Sequence, residues 1–143
     1  MSTSILNKFY PFSEAVAEKV HNLGSDTFYI QLLNSPISAS CAVEADLPAD
    51  IGTGNGYITG GFSAGSAVSS SQTNGVYTLK LANYTVTASG GVLGPFRYLV
   101  IYNQTSTNDN LVGWMDYGQS ISLNNGESFY IQFDQTMGVL TLQ

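Results

Sequence analysis

The chain reads as mainly β, an antiparallel β-sandwich or jelly-roll-like barrel with one short N-terminal amphipathic helix. Three observations predict this. The run from Thr85 to Asn103, continued from Leu111 to Gly118, is dense in Val, Ile, Thr, Tyr and Phe, and no helical period fits it. Short segments alternate apolar and polar residues, as in Val76–Leu81, where Tyr77, Leu79 and Leu81 share a face. Turn residues separate them: Gly60-Gly61, Asn74-Gly75, and the hairpin signal Asn124-Asn125-Gly126. About eight to ten such strands suit a sandwich or barrel.

A single β-domain over 1–143 is the simplest organisation for this length. Residues 1–10 read as an N-terminal arm. From Pro11 to Leu23 a helix is expected, with Phe12, Val16, Val20 and Leu23 on one stripe. Pro11 suits its first position and Gly24 the residue past its end. Glu14 in the first turn and Lys19 and His21 in the last would match the helix dipole. Thr27–Leu33 reads as a strand ended by Asn34-Ser35-Pro36. Residues 36–56 read as a long loop with Glu44, Asp46 and Asp50.

The main strand set occupies 57–142. Its expected members are Tyr57–Thr59, Ala67–Gln72, Val76–Leu81, Tyr84–Ala88, Phe96–Tyr102, Leu111–Tyr117, a short strand with Ile121 and Leu123, Ser128–Phe133 and Gly138–Leu142. In the last hairpin Phe129, Ile131 and Phe133 point inward. Phe96–Tyr102 and Leu111–Tyr117 are apolar on both faces, whereas an antiparallel sheet commonly leaves one face to water. Either the helix or another subunit is expected to cover the second face.

Composition narrows the function. Charged residues are only 10% of the chain, so Ser, Thr, Asn, Gln and Gly must make the surface polar. The net charge is −6, and Lys8, Lys19, Lys80 and Arg97 are the only basic residues. So few cations argue against binding nucleic acid or anionic membranes. No stretch approaches the about 18 apolar residues of a membrane span. The first residues lack the basic-then-apolar pattern of a secretory signal, so synthesis and folding in cytoplasm are expected. Cys41 is the only cysteine, which excludes an intramolecular disulfide and suits a small half-buried residue.

Catalysis finds little support. His21 is the only histidine and reads as solvated at a helix end. No cluster of metal ligands is visible, no Gly-x-Ser-x-Gly elbow occurs, and the glycine runs match turns better than phosphate loops. The loop from Asn103 to Asn110 carries one acid, too few for tight calcium binding. Asp109, Asp116, Glu127 and Asp134 could in principle pair for glycoside hydrolysis, with Asp116 between Trp114 and Tyr117 the most suggestive. A strand-end acid before a glycine turn explains Asp116 more simply. No catalytic residue, cofactor or metal is therefore expected. Arg97, the single arginine, is expected to pair with an acid or stack on a ring, holding strands or subunits together.

Several segments resemble small structural proteins of tailed bacteriophages: Gly94-Pro-Phe-Arg-Tyr98, Val100-Ile-Tyr-Asn103, Gly113-Trp114 and Asp116-Tyr-Gly118. Asn55-Gly-Tyr57 with Gly60-Gly61 fits too, as does Lys19-Val-His-Asn-Leu23 followed by a strand ending in Asn34. This resemblance covers most of the chain and implies a virion component made in the bacterial cytoplasm. Such a protein would be a capsid decoration (cement) protein, or a tail- or fibre-associated one. Its partners would be the major capsid protein or a tail component, and it would be a homo-oligomer. Phe96, Arg97, Tyr98, Tyr102, Trp114 and Tyr117 are the expected interface anchors. The alternative is a fibre-tip module binding host glycan through Tyr102, Trp114 and Tyr117.

Overall fold

A computed structural model describes residues 4–143. The chain forms β1 (Asn7–Lys8), α1 (Tyr10–Ala17), β2 (Phe28–Leu33), β3 (Phe62–Gly65), β4 (Ser69–Thr73), β5 (Val76–Lys80), β6 (Tyr84–Thr87), β7 (Leu93–Asn103), β8 (Asn110–Leu123), β9 (Ser128–Ile131) and β10 (Leu140–Leu142). A five-stranded sheet has the order β1-β8-β7-β2-β3, a second β10-β5-β4, and a third pairs β6 with β9. Every pairing is antiparallel. One apolar core joins all three: Ile30, Leu32, Phe96, Leu99 and Ile101 meet Leu79, Leu140, Val86 and Ile131. The fold is mainly β and β-sandwich-like, with one short helix, as expected.

The longest ladder joins β7 and β8, and both strands exceed their expected bounds. Leu93, Gly94 and Pro95 belong to β7, because the register shifts between Leu93 and Phe96 and the proline sits in an irregularity where no ladder N–H is required. Gly118 does not end β8, which absorbs the expected Ile121–Leu123 strand. Asn74-Gly75 forms a two-residue hairpin between Thr73 and Val76, both turn residues having positive φ. Asn124-Asn125-Gly126 does turn, with Glu127 N–H donating to the Asn124 carbonyl. It is not a hairpin: β8 stays with β7 while β9 leaves to pair with β6. Tyr57–Thr59 forms no strand, and Tyr57 instead turns inward so that its hydroxyl accepts from Leu32 N–H and donates to Asp50. The edge partner of β2 is β3, a strand that the sequence did not single out.

The helix is shorter than expected and ends for a different reason. Lys19 adopts left-handed φ of 66°. Its N–H donates to the Val16 carbonyl and that of Val20 to the Ala15 carbonyl, the paired bonds of a Schellman stop. The stop is therefore at Lys19, not Gly24. Lys19, Val20, His21 and Leu23 lie beyond α1, although Leu23 is still buried.

The second face of β7 and β8 is covered from within the chain, by a segment other than the helix. Tyr98, Val100, Tyr102 and Leu111 pack with Phe9 and Leu33 into a second core, against Ile37, Cys41 and Leu47. The expected 36–56 loop is the cover. Hydrogen bonds hold it down: Tyr10 N–H to Ala39, Leu111 N–H to Ala42, and Glu44 N–H to Asp109. The described part of the expected N-terminal arm is likewise tied in. β1 pairs with Gly113 and Trp114, and Phe9 is buried; residues 1–3 lie outside the described set.

Two stability outcomes follow. Phe9→Ala opens the second core and lowers unfolding free energy by about 3 kcal/mol in urea melts. Lys19→Gly relieves a left-handed penalty of about 1–2 kcal/mol while losing about 0.5–1 kcal/mol to chain entropy, so it is neutral to mildly stabilising in the same assay.

Candidate functional site

The six expected anchors divide by depth. Phe96 is fully buried and meets Phe129 edge-on, ring centroids 5.3 Å apart. Tyr98 and Tyr102 are buried in the second core, and the Tyr102 hydroxyl donates to the Gly60 carbonyl. These three are packing residues and present no face to a partner. Trp114 is half-buried against Phe9 at 4.7 Å. Tyr117, also half-buried, lies 5.5 Å from Phe129.

Arg97 and Asp116 form a cross-strand ion pair. Nε donates to Oδ1 at 2.8 Å and a terminal nitrogen to Oδ2 at 3.1 Å. The guanidinium also lies 5.4 Å from the centre of the Tyr98 ring. The arginine hydrogen bonds, followed by the Gly118 N–H, hold the Asp116 carboxyl below its ordinary range. Asp116 is thus a strand-to-strand tie. Alternation along β8 places Trp114 and Asp116 on one face and Met115 and Tyr117 on the other. The trio that suggested a sugar platform does not converge.

Among the other acids, Asp109 approaches Glu44. Burial raises its carboxyl pKa, and the Glu44 charge adds to the rise. Glu44 accepts a bond from the Gln31 amide. Among the described residues no group of three His, Cys, Asp or Glu side chains is placed to hold a metal.

His21 is not solvated. It is buried beside Phe12 and tied to the far end of β7. Thr105 and Ser106 N–H groups donate to the Asn103 side-chain oxygen, which fixes the amide orientation. The Asn103 nitrogen then donates to Asp26 at 2.6 Å and to His21 Nδ1 at 3.0 Å. Nδ1 is therefore an acceptor and the proton of the neutral ring is on Nε2, which makes no hydrogen bond. Burial lowers the His21 pKa, outweighing the opposing pull of the Asp26 charge.

A shallow hollow of about 580 Å³ borders this site along Val16, His21, Asp26 and Tyr77, and another lies elsewhere. A cleft of about 720 Å³ separates β9 and the following turn from β8 and the N-terminal segment. Met115 and Tyr117 line one wall, Ser4 and Leu6 one end, and Phe129 through Gln135 the other wall. Tyr130 and Met137 are largely exposed near it, as is Ile5. Sequence reasoning reached Tyr117 but missed Tyr130. The signal was present: with Phe129, Ile131 and Phe133 inward, period-two alternation sends Tyr130 outward.

No family model matches the chain, and neither a curated protein nor a solved structure does. The resemblance to phage structural proteins therefore stands on the sequence segments alone.

The His21 site gives a pH test. The unfolded imidazole takes up its proton near 6.5, the folded one only at lower pH. Between those values the unfolded state binds more protons, so stability falls as pH drops through 6.5 and levels below the folded value. Urea melts of the protein and of His21→Gln should differ in slope across this window, and the single imidazole resonance reads the folded pKa directly. A folded His21 that titrates at or above 6.5 would refute the burial account.

Proposed function

We propose that this chain is a non-enzymatic structural protein of a bacteriophage particle, of the capsid decoration (cement) kind, which binds the assembled shell and stabilises it. The observation that carries the reading is the union of the cleft with a sheet edge: among the described residues β9 has a strand partner on one side only, exposed Tyr130 lines the opening, and exposed Met137 and Ile5 adjoin lining residues in sequence. Unpaired strand edges with apolar neighbours are suited to holding another polypeptide. The groups best equipped for chemistry support the same side. The only histidine accepts from Asn103, and Asp116 is bonded to Arg97.

Four of the segments resembling phage structural proteins, Gly94–Tyr98, Val100–Asn103, Gly113-Trp114 and Asp116–Gly118, run along the β7–β8 ladder, where they build the scaffold. Contact with shell subunits then falls to the rim around Tyr117 and β9, which Phe96 supports from within through Phe129, while Tyr98 and Tyr102 belong to the core on the other face. A ligand that binds the assembled state but not the dissociated one stabilises that state by mass action. The glycan alternative keeps Tyr117 but loses Tyr102 to the core and Trp114 to the opposite face, so it draws less support.

The test is occupancy of particles. Gradient-purified virions from the genome encoding this chain should contain it in many copies, and particles assembled without it should release DNA at lower temperature. Purified particles with no peptides from this chain would end the proposal.

A further inference from the structure

The cleft is lined by seven consecutive residues, Phe129 to Gln135, of which Phe129, Tyr130 and Ile131 belong to β9. Neighbouring residues of a strand point to opposite faces, so a hollow lying over one face meets only alternate residues. Contact with three successive strand residues means that this hollow runs along the edge of β9, where backbone groups are presented; past Gln132 the Phe133 N–H is taken by Asn83 and its carbonyl by Gln135. β6 uses the other edge, through Tyr84↔Ile131, Thr85↔Tyr130, Val86↔Phe129 and Thr87↔Ser128. Among the described residues, nothing outside the β6 ladder hydrogen-bonds to the backbone of Phe129 to Gln132.

We propose that this edge is a strand-addition site, which takes an extended segment of another polypeptide with alternating apolar residues and basic residues at its ends. Backbone hydrogen bonds supply the attraction, and the apolar wall of Leu6, Leu99, Met115 and Tyr117 receives every second side chain. The charge preference comes from the two acids that bracket the edge. Glu127 precedes β9, and Asp134 lies within the lining run and is the one Asp or Glu in it. Asp134 stays charged because its Oδ1 accepts from the Met137 and Thr136 N–H groups, and the Lys80 charge adds to this, so a basic end of the incoming segment shares the carboxylate with Lys80.

The same bracket disfavours a second copy of this chain. Two antiparallel β9 edges centred between Tyr130 and Ile131 would place Glu127 of each opposite Asp134 of the other, and like charges directly opposed destabilise a pair. That centred self-pairing is disfavoured, and the occupant assigned to the edge is a different chain. The inference rests on the edge and its charges, and it survives if the particle reading fails.

The probe is the blocked octapeptide Lys-Thr-Val-Thr-Val-Thr-Val-Lys, titrated into the full-length protein and followed by amide NMR. Shifts concentrated on Phe129–Phe133, with a dissociation constant of about 1 mM or tighter, are expected. A twin ending in Glu at both ends should bind about tenfold more weakly at low salt. Asp134→Asn retains the turn acceptor and should narrow that difference. N-methylation at alternate residues, which removes the donors while keeping the side chains, should abolish binding. Equal binding by the methylated peptide, shifts elsewhere on the protein, or no binding by the Lys-ended peptide would each overturn the proposal.

Discussion

Strand β7 is buried from Tyr98 to Asn103, on both of its faces, and the architecture follows from that constraint. Phe96, Leu99 and Ile101 belong to the core between the sheets, while Tyr98, Val100 and Tyr102 belong to the core behind them. Burying an apolar side chain contributes roughly 1.5–3 kcal/mol, so leaving the rear face to water would forfeit several such contributions. The chain instead lays residues 37–47 over it and docks Phe9 beside them. The loop has to be held at several points because it has no ladder of its own. The bonds to Ala39, Ala42 and Asp109 provide these, and the Asp46 carboxylate accepts from Ala42 and Val43 to fix the local turn.

The parts of this arrangement that were readable from sequence were local ones. Alternation identified β5, β6 and the inward set Phe129, Ile131 and Phe133, because period two depends only on which way successive side chains point. Two apolar faces in Phe96–Tyr102 correctly required a cover on each side. What alternation does not encode is the identity of the cover. Ile37, Cys41 and Leu47 are scattered among Pro, Ser and acids, with no period, so they read as loop residues while acting as core. The Asn-Gly turns show the same limit. Asn74-Gly75 and Asn125-Gly126 look alike locally, and only the competing offers made to the next strand, by β4 for one and β6 for the other, decide which becomes a hairpin.

His21 was misplaced for a related reason. At the helix end it appeared to be one more polar residue beside Lys19. The Schellman stop at Lys19 turns the chain two residues earlier, and His21 then points into a site completed by Asn103, which is 82 residues away. No local signal carries a partner at that distance. Asn103 itself ends β7 and uses both sides of its amide, one towards the Thr105–Ser106 turn and one towards Asp26 and His21. A fully buried amide with every bond satisfied links the helix end to the sheet more specifically than an apolar contact would.

The location of the cover also determines where a partner can bind. Aromatic strand residues marked the β7–β8 ladder as an interface only while its rear face lacked a covering segment. Once Phe9 and the 37–47 loop supply that segment, Tyr98 and Tyr102 have no surface left to offer, and Arg97 is committed to Asp116. Unmet demand then shifts from side chains to backbone. The two-stranded β6–β9 sheet has the fewest strand neighbours in the molecule, and β9 exposes its open edge beside apolar side chains that have water on one side. A buried face is satisfied by any apolar surface, whereas an open edge asks for an extended backbone in register. That requirement makes the β9 edge the more selective surface, and the acids at its two ends add a charge criterion that a bare apolar face lacks.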